Sequence, residues 1–161
     1  MTDHSKPELD LKHIDRVFQH LPRGDDMTMT ALKGHLLVEE LLDEIIWAHC
    51  RSPEVLEDVE IRFPAKIKLV LALTGTNELS VVWGLCGKLN ALRNALAHKI
   101  EHPLAQKRLN AFFSAFEGAH FEWRPSAARD ANDLWDGIAF LIGAIQGVRN
   151  PLVRRDPSVA V

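Results

Sequence analysis

The sequence predicts an all-α fold, a helical bundle of about five principal helices. Apolar residues recur at intervals of three and four through several successive segments, the helical period. Proline and glycine separate these segments, and no alternation of strand with helix occurs. At 161 residues the chain has the length of one ordinary domain and can bury a core without disulfide staples. We assign residues 1–150 to a single all-α domain and 151–161 to a flexible C-terminal tail.

The first expected helix spans 9–21 and ends at Pro22 and Gly24. Asp25, Asp26 and Thr28 offer N-caps for a second helix over about 30–50. That segment places Leu37, Val38, Leu41, Leu42, Ile45 and Ile46 on one half, with Glu40, Asp43 and Glu44 on the other. Trp47 falls among the acids, as a contact surface or simply packed against a neighbour.

Pro53 starts a short helical turn, and Phe63-Pro64 opens a helix over about 65–73, which Gly75 ends. Asn77 caps a long central helix running to about residue 101, where His102-Pro103 forces a break. A helix over about 104–117 presents Leu109, Phe112, Phe113 and Phe116 as core. After a loop at 120–125, the last helix covers about 127–149 with Leu134, Ile138, Leu141, Ile142 and Ile145 inward. Pro151 is expected to stop it.

Composition narrows the function classes. The net charge of −3 argues against a protein coated in basic residues for duplex DNA. The residues from Lys88 to Arg108 differ from the rest: five basic residues face one carboxylate, a local charge of +4. Cys50 and Cys86 are the two cysteines, far apart and each within an apolar helical run, so they read as buried structural thiols. The N-terminus lacks an apolar signal core, and no apolar run reaches the roughly 18 residues of a membrane helix. Cytoplasmic location, with no membrane partner, is the expectation.

The central helix carries the candidate chemistry. Val82, Leu85, Cys86, Leu89, Leu92, Leu96 and Ile100 form a buried stripe, whereas Asn90, Asn94, His98 and Glu101 lie on the polar side. Asn94 and His98 are one turn apart and can meet, as can His98 and Glu101. Arg93 falls at the edge of the apolar stripe, where a guanidinium requires an acid, carbonyl oxygens or an anionic ligand. It lies about 140° around the helix from His98, so within one chain the two do not point at one spot. Gly84, Gly87, Ala91 and Ala95 flank the polar side with small residues, which suits close packing within the bundle or across a two-fold axis. A homodimer is the expected assembly.

The run Leu92-Arg93-Asn94-Ala95-Leu96-Ala97-His98 resembles the Arg-Asn…His motif of HEPN domains, α-helical bundles of prokaryotic toxins and defence systems. Residues 34–46 and 62–73 are similar in order and character to the mannitol operon repressor-like branch of helical proteins. The resemblance covers about 30–103. It implies a metal-independent endoribonuclease that works as a homodimer, with arginine and histidine clustered at the dimer interface and the strand cut by its own 2′-hydroxyl. Carried over, His98 is the general acid or base, Arg93 holds the scissile phosphate, and Asn94 positions His98 or the phosphate. Glu39 and Glu101 are candidate supporting residues, and Lys88, Lys99, Lys107 and Arg108 are candidate RNA contacts. RNA and an antitoxin or regulatory protein are the implied partners. In toxins of this class controlled by a nucleotidyltransferase, a tyrosine often stands two places after the histidine; that position is Ile100 here.

Two other readings remain open. Arg93 can form a structural salt bridge to Glu39 or Glu40, with His98 simply exposed. Alternatively, the motif can belong to a non-catalytic mannitol repressor-like transcriptional regulator or protein-interaction module. His98 and His102 stand one turn apart like two metal ligands, but no third is indicated, so neither a metal nor another cofactor is expected.

Overall fold

The structure, a computed structural model, describes residues 15, 19–21, 23–98, 103–119 and 121–153, with His98 and residues 149–153 described in their backbone only. It is all-helical, as the apolar spacing predicts: five α-helices and two short 3-10 turns, with no strand among the described residues. The N-terminal segment expected as a helix over 9–21 lies mostly outside these residues.

Helix α1, Met27–His49, starts at Asp26, whose side chain accepts a hydrogen bond from the Met29 amide at 2.9 Å. Such a cap contributes about 1 kcal/mol. The predicted apolar face is the buried one, from Leu37 to Ile46. After a 3-10 turn at Pro53–Leu56, α2 spans Phe63–Thr74, with Pro64 near its start. Gly75 ends it in the left-handed region, at φ 66°, where a side chain would be strained.

Asn77 does not cap the central helix directly. It begins a 3-10 turn, Asn77–Leu79, and α3 follows as Ser80–His98. The turn is held because the Trp83 indole donates to the Thr76 carbonyl at 3.1 Å. Val82, Leu85, Cys86, Leu89, Leu92 and Leu96 are buried as predicted. The small-residue flank divides: Ala95 is in the core, while Gly84 and Gly87 are exposed. Helix α4 spans Pro103–Glu117, with proline at its first position, where its missing N–H costs least.

Helix α5 is Ala131–Val153, displaced from the predicted 127–149 at both ends. At its start Arg129 adopts a positive φ of 47°, which interrupts any earlier turn. Asp130 then accepts from the amides of Asn132 and Asp133, and Asp133 accepts from the Asp130 amide. This reciprocal cap fixes the N-terminus. At the far end Pro151 lies within the last helical turn instead of stopping it. Proline there removes one backbone donor, and the described helix continues to Val153.

Helix α1 is central to the packing, touching α2, α3 and α5, while α3 packs chiefly on α4. The α1–α5 contact is close enough that a Cβ on Gly34 would lie 2.5 Å from Ile138 Cδ1. Phe112, Phe113 and Phe116 of α4 are fully buried, each aromatic contributing roughly 1.5–3 kcal/mol through burial. This core holds α1, α2 and α3 so that their polar edges face one another.

Candidate functional site

Those polar edges enclose an open cleft of about 720 Å³. Helix α1 contributes His35, Glu39, Asp43 and Trp47; the segment from Leu56 to Arg62 forms one wall; α2 adds Phe63 and Lys66; and α3 adds Asn90, Arg93 and Asn94. The three α3 residues share the cleft because positions i, i+3 and i+4 lie on one face.

His35 is the buried polar residue of the floor. Its Nε2 lies 3.0 Å from Asn90 Oδ1, joining α1 to α3, and its ring lies against Phe63 with centroids 4.2 Å apart. Nδ1 has no hydrogen-bond partner among the described residues and lies 3.8 Å from Glu39 Oε2. Burial pushes the imidazole below its ordinary pKa, and the positive charges of Arg93 and Lys66 act in the same direction. The Asn90 hydrogen bond and the Glu39 charge oppose this without reversing it.

Glu39 does not form the salt bridge to Arg93 that the sequence left open. Lys66 takes it: Nζ donates to Glu39 Oε1 at 3.0 Å and to Asp43 Oδ2 at 2.7 Å. Glu39 and Asp43 are one turn apart, and Lys66 enters from α2 between them. Burial disfavours the ammonium, but the hydrogen bonds and charges of Asp43 and Glu39 outweigh it and raise the Lys66 pKa.

Arg93 is half-buried, and its Nη1 donates to Asn94 Oδ1 at 3.2 Å. Among the described residues no carboxylate pairs with it. A guanidinium has five donors in a planar fork, and among the described residues Asn94 takes one of them. Trp47, 44 % exposed, presents its indole on the same cleft.

The structure therefore brings together Arg93, Asn94 and Glu39 from the predicted set. Lys88 is half-buried, Lys107 and Arg108 are exposed on α4, and none of the three lines the cleft. The His98 side chain, Lys99, Glu101 and Ile100 lie outside the described residues. Sequence reasoning missed His35, Asn90 and Lys66 as cleft residues. His35 carried a signal, since it stands one turn before the apolar Val38 on the stripe that α1 buries. Lys66 carried none, because an exposed lysine near a helix start looks the same as this one.

The cysteines fit structural roles. Burial pushes the Cys86 thiol up to about 12, away from any nucleophilic form at neutral pH, and Cys50 is a half-buried free thiol. No described helix is long and apolar enough to cross a membrane. No family model, no curated protein and no solved structure matches this chain.

Proposed function

We propose that this chain is a HEPN-like RNA-binding protein that cuts RNA without a metal, as a homodimer, through Arg93, Asn94 and His98. The observation that carries the reading is Arg93: a half-buried guanidinium on an open cleft, with an asparagine and no carboxylate as its partner among the described residues. Leaving such a charge unpaired is costly, and a phosphodiester would satisfy it in two-point geometry. The exposed indole of Trp47 on the same cleft supplies a surface on which an unpaired base can stack.

In the proposed reaction a 2′-hydroxyl loses its proton to a general base and attacks the adjacent phosphorus. The bond to the 5′-oxygen breaks, and that oxygen takes up a proton, leaving a 2′,3′-cyclic phosphate and a 5′-hydroxyl. His98 exchanges one of these protons, since imidazole titrates near neutrality. Arg93 stabilises the negative charge that builds on the phosphoryl oxygens. Asn94 orients the guanidinium through its side-chain oxygen. The reaction calls for no cofactor.

The test is incubation of purified wild type, His98→Ala and Arg93→Ala with structured RNA in EDTA. Cleavage with 2′,3′-cyclic phosphate ends, lost in both variants, is the expected result. Absence of cleavage by wild type, or cleavage that survives in His98→Ala, removes the catalytic assignment.

One observation favours a second reading, a non-catalytic mannitol repressor-like regulator that uses the cleft to bind another protein. The exposed carboxylates of Glu57 and Glu60 line the same cleft and suit basic residues of a protein partner. RNA left uncut by wild type in that incubation would leave this reading in place.

A further inference from the structure

Arg93 shares the cleft with two acids, Glu39 and Asp43, and binds neither. Glu39 and Arg93 both line the cleft, and both act on the charge state of His35, from opposite signs. In a cleft of mixed charge the default fate of an arginine is a carboxylate partner, because a charged fork that leaves water without one is destabilised. Here Glu39 and Asp43 are already held. The Lys66 side chain is 12 % exposed and reaches both, at 3.0 and 2.7 Å. The ammonium is compact and carries three donors, enough to hold two carboxylates one helical turn apart.

We propose that Lys66 is a positioning residue for Arg93: by holding Glu39 and Asp43 it keeps these carboxylates off the guanidinium and leaves it open to an anionic group in the cleft. The idea rests on the reading of Arg93 as the anion-binding group. It adds that the affinity of Arg93 is set from α2, by a residue that does not itself hold the ligand. With Lys66 removed, Glu39 turns to Arg93 and competes with the ligand from within the chain. The competition is intramolecular, so even a weak contact is effective.

The experiment is a double-mutant cycle on the full chain. The probe is a fluorescein-labelled, 2′-O-methylated single-stranded oligoribonucleotide, which cannot be cut. Affinities are measured at low salt for wild type, Lys66→Gln, Glu39→Gln, the double variant, Lys66→Arg and Arg93→Gln, with a thermal melt for each. Lys66→Gln is expected to weaken binding about ten-fold, and Glu39→Gln to raise affinity several-fold more in that background than in wild type. Lys66→Arg, which keeps the cation and the fold, should bind within about three-fold of wild type.

Unchanged binding by Lys66→Gln overturns the proposal. So does an equal effect of Glu39→Gln in both backgrounds, which would make Lys66 a direct ligand contact adding its charge independently. A wild type that binds while Arg93→Gln binds equally well identifies a different failure, that of Arg93 as the anion-binding group. A wild type that does not bind the oligonucleotide removes the nucleic-acid reading and the role of Lys66 together.

Discussion

His35 Nε2 and Asn90 Oδ1 lie 3.0 Å apart across the interface of α1 and α3, a hydrogen bond between residues 55 positions apart in the chain. It holds a buried imidazole in the lining of the cleft, where the Glu39 carboxylate and the Arg93 guanidinium act on it with opposite sign. His35 is therefore a reporter of the charges around it.

The His35 midpoint, followed by NMR titration of the ring protons, should lie below the ordinary 6.5. Burial is the first cause. The groups facing it are Glu39 from its own helix, Lys66 and Phe63 from α2, and Asn90 and Arg93 from α3. Glu39→Gln should lower the midpoint further, and Arg93→Gln should raise it. The folded-state pKa is depressed, so its stabilising contribution is present above the unfolded-state value and is lost as pH falls through the folded one. A midpoint at or above 6.5 in wild type would contradict the burial argument.

Gly34 is where α1 and α5 come closest. A methyl group there would lie 2.5 and 2.8 Å from Ile138 Cδ1 and Cγ2. Gly34→Ala should destabilise the fold by about 1–3 kcal/mol in urea unfolding, despite alanine's better helix propensity. The loss should shrink when Ile138→Ala makes room. An equal loss in both backgrounds would show that the contact is not the cause.

Asp133 anchors the start of α5, accepting from the Ser126 amide at 2.9 Å, the Ser126 hydroxyl at 2.6 Å and the Asp130 amide at 3.2 Å. Burial alone would raise its pKa; the hydrogen bonds from Ser126 and the neighbouring amides outweigh it and hold the carboxyl below its usual range. A depressed folded-state pKa contributes stability above the unfolded value, and that contribution is lost as pH falls through the folded one. Asp133→Asn should therefore be less stable than wild type at pH 7, with the gap narrowing in acid below the ordinary carboxylate range. A gap independent of pH would rule out the charge as its source.

Cys50 should react with a thiol reagent in the native protein well before Cys86. Cys50 is half-buried, whereas Cys86 is fully buried with its thiol pushed up to about 12. Rapid modification of both sites, mapped by mass spectrometry, would show that the α3 core opens readily.

Local order was legible in the residues alone. Apolar spacing marked α1, α3, α4 and α5 and the faces they bury, and Gly75 marked the end of α2, because periodicity and backbone permissiveness act within a few residues. Its errors were at ends governed by side chains: the reciprocal cap of Asp130 and Asp133 moved the start of α5, and Pro151 was carried in a final turn. The cleft, by contrast, came from how the helices pack. Whether Glu39 met Arg93 or Lys66 depended on how α2 lies across α1, and whether His35 met Asn90 depended on how α3 lies against it. Such contacts join residues tens of positions apart, and their outcome follows from competition among charges at distances no local pattern encodes. Arg93 and Asn94 were legible as a motif; that Arg93 stands unpaired by a carboxylate among the described residues was not.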